Sequence, residues 1–204
     1  MYPFIETIRI EGGEIRNLPY HQQRLNSTMR HFWPQAPVVD LKDVLRDAPL
    51  TETETKARVV YDEGGVRDLS FSAYHPLDIR SLCLVTCDEI DYRYKSADRS
   101  ALQALKEQRG NCDEIIIVKD GKLTDTSYSN IALFDGAHWF TPRHPLLHGT
   151  MRQSLVDQGL LREDDLTPDD LHRFLKISLI NAMMPLGFLE IGKENVFYPG
   201  KNEE

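Results

Sequence analysis

Four short stretches of this chain hold residues whose types and spacing could do chemistry. Tyr94-Lys95-Ser96-Ala97-Asp98-Arg99 sets a lysine between a strand pattern and a helix pattern, a junction where functional groups often sit. Leu123-Thr124-Asp125-Thr126-Ser127-Tyr128-Ser129-Asn130-Ile131 is a polar run with an acid between two apolar strands. Leu147-His148-Gly149-Thr150-Met151-Arg152 carries a glycine into a helix start, where backbone N–H groups form a natural phosphate cradle. Ile180-Asn181-Ala182-Met183-Met184-Pro185 sets small and polar residues after an apolar strand. Each stretch alone is ordinary. A lysine is most often a solvated surface charge, an acid in a turn most often a turn former, and a glycine before a helix most often structural. Their order along the chain carries the information.

That order resembles the class IV aminotransferases, the fold-type IV pyridoxal 5'-phosphate (PLP) enzymes. The family's marks are a lysine followed by a short polar stretch, T-E-x-x-x-x-N-L/I, a P-R…G-[IT]-[MT]-R segment, and a small-residue loop. The matching residues are Lys95-Ser96-Ala97-Asp98-Arg99, Thr124-Asp125 with Asn130-Ile131, Pro142-Arg143 with Gly149-Thr150-Met151-Arg152, and Asn181-Ala182. Glu6-Thr7-Ile8-Arg9 resembles the family's early strand, and His21-Gln22-Gln23-Arg24-Leu25 its H-x-x-R-L helix, so the resemblance runs over nearly the whole chain.

The resemblance implies a role for each residue. Lys95 would attach PLP covalently and then shuttle a proton, since a neutral amine can do both. Asp125, which stands where the family usually has Glu, would pair with the pyridinium nitrogen; it is one methylene shorter and chemically competent. Arg24 would clamp the phosphate as a charged fork. Backbone N–H groups of Thr150 and Met151, with Asn181, would complete the phosphate site. Arg9, Arg99 and Arg143 are candidates for substrate carboxylates, with a surface ion pair as the ordinary alternative for each. No metal site is expected.

These residues must be carried by a framework, and the periodicities supply one. Ile5 to Ile15 alternates around Glu11-Gly12-Gly13 and predicts a hairpin. Tyr20 to Trp33 has helical spacing at Leu25, Met29 and Phe32 and is stopped by Pro34 and Pro37. Leu41 to Leu45 reads as a short helix, and strands are predicted at 57–61, 68–74 and 80–87. After a break near Pro76 to Ile79 come a helix at 101–108, a buried strand at 114–118, a hairpin around Asp135-Gly136 and a helix at 149–158. A helix start follows at Thr167-Pro168, with Thr167 as N-cap. A strand over 175–181 ends the pattern, and the tail Lys201 to Glu204 reads as a frayed end. The expectation is an α+β, two-domain, D-amino acid aminotransferase-like fold: residues 1–78 a small N-terminal domain and 79–204 a larger PLP-binding domain. The small domain is expected to be shortened, because the family's first strands precede Phe4; their absence would leave a sheet edge open and favour association.

Composition narrows the partners. The 204 residues carry a formal charge of −8, which disfavours nucleic acid and anionic membranes. No apolar run approaches the ~18 residues of a membrane span, and no secretory leader is read at MYPFIETIRI. Cys83, Cys87 and Cys112 are odd in number and form no CxxC pair, so buried free thiols and a cytoplasmic location are expected. A homodimer is implied by the resemblance.

Two features lean toward one reaction. Asn181-Ala182-Met183-Met184-Pro185 reads more like the 4-amino-4-deoxychorismate lyases than like the Gly-Thr-Ala of the aminotransferases, and the Lys95-to-Arg99 spacing agrees. The first expectation is therefore a lyase that releases pyruvate and leaves 4-aminobenzoate in folate biosynthesis. A transaminase for branched-chain or D-amino acids is the second, and a non-catalytic homologue the third.

Overall fold

Alternation in the first eleven residues settles into β1 (Phe4–Glu11), which turns through Gly12 and Gly13 into β2 (Glu14–Ile15). Both glycines have positive φ, 56° and 75°, the backbone that a two-residue hairpin matching strand twist requires. Helix α1 (Leu18–Phe32) begins two residues earlier than its apolar spacing predicts, because Pro19 fits the first turn, where no N–H bond is needed. It stops before Pro34, which disfavours helical backbone in the residue it follows. Helix α2 (Leu41–Val44), capped by the Asp40 side chain, leads to β3 (Thr55–Asp62) and β4 (Gly65–Ala73). The four strands form an antiparallel sheet in the order β2-β1-β3-β4, with Thr7 opposite Arg58.

The structure, a computed structural model, describes residues 3–49 and 53–198, so the tail from Lys201 lies outside the described residues. The chain divides into two units: Met1–His75 with Tyr94–Asp98, and Pro76–Arg93 with Arg99–Glu204. In the first, Phe4, Ile8 and Ile10 of β1 and Ala57, Val59 and Tyr61 of β3 pack on Leu25 and Met29 of α1 and Leu41 and Leu45 around α2. Leu25 is fully buried, and such burial stabilises by about 1.5–3 kcal/mol.

Tyr94–Asp98 belongs to this unit through backbone bonds. Ile5 N–H donates to Lys95 O (2.9 Å), Ala97 N–H donates to Pro3 O (2.8 Å), and Phe4 and Ser96 make an antiparallel bridge. The chain thus lays its own segment along β1 on the side opposite β3.

The second unit holds two sheets. The first contains β5 (Leu82–Thr86), β6 (Glu114–Lys119), β7 (Lys122–Leu123) and β13 (Val196–Phe197), in the order β13-β5-β6-β7. Its parallel β5–β6 pair is connected through α3 (Ser100–Lys106), whose Leu102 and Leu105 pack on Val85, Ile115 and Ile117. The second sheet has the order β10-β9-β8-β11-β12: β8 (Asn130–Phe134), β9 (Trp139–Pro142), β10 (Leu161–Asp164), β11 (Lys176–Ile180) and β12 (Glu190–Gly192). Helix α4 (Thr150–Asp157) joins parallel β9 and β10 and packs Leu155 on Ala132, Leu161 and Ile180. Strands β6, β8 and β11 are almost continuously buried, as strands covered on both faces must be.

The helix start at Thr167 is found where expected; it opens a six-residue 3-10 helix, Pro168–Arg173, with a reciprocal Thr167–Asp170 capping box. One expectation is corrected: the three cysteines are free and half-buried rather than buried. Cys83 lies on β5, where successive side chains alternate faces, and Cys87 lies beyond the strand's end. Among the described residues, no helix is long and apolar enough to cross a membrane.

Candidate active site

In the first unit, Lys95 is half-buried in the irregular segment between β5 and α3, its carbonyl held by Ile5 N–H. The ring of the preceding Tyr94 stacks on His31, with centroids 4.8 Å apart, and meets Phe32 edge-on. These contacts anchor the lysine's backbone from both sides.

Arg24 projects from α1 onto Glu6 of β1. Its Nε donates to Oε1 (2.9 Å) and its Nη2 to Oε2 (2.5 Å). His21, one turn earlier on α1, places Nδ1 2.6 Å from Glu6 Oε2. Burial opposes charge on Glu6, yet the Arg24 charge and the bonds from His21 and Arg24 outweigh it and hold the carboxyl at about 2. Burial pushes His21 below its ordinary value, the Glu6 carboxylate opposing, and the Lys95 charge adds to the lowering. The pair is therefore a carboxylate and a neutral imidazole that donates from Nδ1. Arg9 is engaged by carboxylates, Glu11 at 2.7 Å and Glu54 at 3.1 Å.

In the second unit, Asp125 sits between β7 and β8, and its backbone is held by Ile117 of β6. Thr124 N–H donates to Ile117 O (3.0 Å) and Ile117 N–H to Asp125 O (2.8 Å). The Asp125 carboxylate accepts from Leu147 N–H at Oδ2 (2.8 Å) and from Asn130 Nδ2 at Oδ1 (2.8 Å). Burial pushes its pKa up to about 6, against the Leu147 and Asn130 bonds and the nearby Arg152 charge. Asn130 Nδ2 also reaches Leu147 O (2.9 Å), tying the acid's loop to the segment that opens α4. The next turn of that segment has Gly149, where a Cβ would lie 1.9 Å from Asn130 Oδ1; only glycine admits this approach.

Thr150 and Met151 are the first two residues of α4, and no side chain caps the helix at Gly149. Their N–H groups belong to the set that an α-helix cannot satisfy internally. Arg152, also in the first turn, is 1% exposed, donates to Pro142 O (2.7 Å) and pairs with Glu163 (2.6 Å). Asn181 Oδ1 accepts from Met183 N–H (2.9 Å) and Met184 N–H (3.1 Å), so its carbonyl shapes the turn after β11. Arg99 Nη2 donates to Ser127 O (2.7 Å). Arg143 is exposed and bonded to Asp165 (3.2 Å) and to Glu163 O (3.2 Å).

The sequence does not disclose one supporting cluster. Glu114, first residue of β6 and fully buried, accepts from Ser127 Oγ (2.9 Å) and Ile115 N–H (2.9 Å) and pairs with Lys106 of α3 (2.9 Å). It holds the Thr126–Ser129 turn beside Asp125, and Arg99 grips the same turn at Ser127. A charged residue heading an apolar run is the signal that could have found it, as Glu6 among Phe4, Ile8 and Ile10 is for the first cluster.

The residues present fit the group that the resemblance implies. A buried acid raised to about 6 calls for a cation such as a protonated ring nitrogen. The opening N–H groups of α4 suit a phosphate.

A model of the amino-transferase class IV family matches residues 4–189. An uncharacterized protein of Haemophilus influenzae is 36% identical over 186 residues, 90% of this chain and 98% of that protein. A crystal structure from Haemophilus somnus 129pt, of a proposed 4-amino-4-deoxychorismate lyase, superposes with a TM-score of 0.86 at 35% identity, over 91% of this chain and 98% of the other. A proposed aminodeoxychorismate lyase of Schizosaccharomyces pombe is 23% identical over 83% of this chain and 81% of its own length. The α+β fold is that of these enzymes, and the chain belongs to the amino-transferase class IV family of PLP-dependent aminotransferases and lyases.

Proposed function

We propose that this chain is a PLP-dependent lyase acting on 4-amino-4-deoxychorismate, releasing pyruvate and leaving 4-aminobenzoate for folate biosynthesis. The observation that carries the PLP reading is Asp125, a buried acid aimed by Leu147 and Asn130 and left without full compensation for its charge. The likeness to the Haemophilus somnus protein over nearly its whole length supports the lyase reading, as does the Asn181-Ala182 turn.

When bound, PLP supplies a covalent link and an electron sink. Lys95 would hold the cofactor, and its Nζ would hold or move a proton. The Asp125 carboxylate would keep the ring nitrogen protonated. Arg24, the N–H groups of Thr150 and Met151, and Asn181 through its turn would be the phosphate ligands. A dicarboxylate substrate needs a cation. Arg99 is the strongest of the three arginines, since its bonded partner among the described residues is a carbonyl, whereas Arg9 and Arg143 face carboxylates.

Residues 1–78 and 79–204 would serve as the small and cofactor-binding domains of a cytoplasmic homodimer. The test is direct: purified protein is given 4-amino-4-deoxychorismate, and separately an amino acid with 2-oxoglutarate. Pyruvate and 4-aminobenzoate in equal amounts support the proposal. Glutamate without 4-aminobenzoate assigns a transaminase, and no turnover in either assay assigns a non-catalytic homologue.

A further inference from the structure

The inward face of β1 is Phe4, Glu6, Ile8 and Ile10, and the one charged member is completely buried. Taking a carboxylate out of water is unfavourable, and replacing a buried ion pair by apolar side chains is often neutral or stabilising. Holding α1 to the sheet could thus be done as well by apolar side chains, and does not by itself call for Glu6. What Glu6 does to Arg24 gives a reason for it. Two parallel bonds, Nε to Oε1 at 2.9 Å and Nη2 to Oε2 at 2.5 Å, fix the plane and direction of a guanidinium as well as its place. His21, three residues before Arg24 and so on the same helix face, donates to the same Oε2 and stops the carboxylate from turning. Thr28 Oγ1 bonds to Arg24 O (3.0 Å) and steadies the helix backbone there.

We propose that Glu6 and His21 are positioning residues that hold the Arg24 guanidinium in the orientation in which it receives the phosphate of PLP. This rests on the reading of Arg24 as a phosphate ligand. The charge of Glu6 works against an incoming phosphate, so the carboxylate is useful only if ordering the arginine outweighs that repulsion. The two effects have opposite signs, which makes the idea testable.

The full chain, stripped of cofactor, is titrated with PLP and with pyridoxal, which can attach to the same lysine but has no phosphate. The readout is the ratio of the two affinities. Glu6→Gln should weaken PLP about tenfold, the scale of a charge-assisted bond, and leave pyridoxal unchanged. His21→Gln should lower the ratio by a smaller factor. Arg24→Ala should remove the preference for PLP, and adding Glu6→Gln to it should change nothing more. An unchanged or raised ratio in Glu6→Gln overturns the proposal, as does an additive double variant. Equal loss of both ligands also overturns it, because the role of Glu6 is then structural. If Arg24→Ala keeps the full preference for PLP, the phosphate assignment itself has failed.

Discussion

Replacing Asp125 by Asn should make the cofactor-free protein more stable while weakening its hold on PLP. Asp125 is only 5% exposed, and burial raises its carboxyl from the ordinary 3.8 to about 6. A folded-state pKa above the unfolded one means that ionisation penalises the folded state. The penalty is absent below the unfolded value, grows between 3.8 and about 6, and is complete above that. A rise of about two pH units, at roughly 1.36 kcal/mol for each, corresponds to about 3 kcal/mol near pH 8. The same linkage gives a little over half of that at pH 5.

Asn removes the penalty but cannot accept from Asn130 Nδ2 with its own amide nitrogen, which returns about 1 kcal/mol. The net gain is about 2 kcal/mol at pH 8, shrinking by roughly 1 kcal/mol or more toward pH 5. Urea unfolding of both cofactor-free proteins across this range measures it. The reasoning is refuted if Asp125→Asn is less stable than the parent at pH 8 by the same margin as at pH 5.

Other perturbations probe other parts of the account. Gly149→Ala places a methyl 1.9 Å from Asn130 Oδ1, so it should displace the amide from Asp125, destabilise by about 1–3 kcal/mol and weaken PLP binding in a titration. Glu6, held at about 2, contributes stability that is present above its unfolded value of 4.5 and lost as pH falls toward 2. Acid titration of unfolding should therefore show a loss of about 3 kcal/mol from this group, and the loss should be missing in Glu6→Gln. Lys106→Met leaves the Glu114 carboxylate buried with no lysine, which should cost about 3–5 kcal/mol in urea unfolding, whereas Lys106→Met with Glu114→Gln should recover part of it.

The candidate site positions can be picked out of the sequence because they are local. Lys95 before a helix, Asp125 and Asn130 five residues apart, and Gly149 at a helix start are patterns that a short window contains. What the window cannot contain is pairing across sequence. Glu6 meets Arg24 over 18 residues, and Lys106 of α3 meets Glu114 of β6 only because α3 folds back on the β5–β6 pair. Tyr94–Asp98 joins the unit of β1 through backbone bonds to Pro3 and Ile5, which no side-chain pattern announces. The cap at Thr167 is local and readable, whereas the exposure of the cysteines is not, because a thiol in an apolar strand is buried only if its face is covered.

The central claim is that Lys95 carries PLP. The full chain is loaded with PLP, its absorption spectrum recorded, and the link reduced with borohydride before peptide mapping. The account predicts a visible band that disappears on reduction, with the cofactor's mass left on Lys95, and neither in Lys95→Ala. A reducible band that persists in Lys95→Ala, or mass on another lysine, would contradict it.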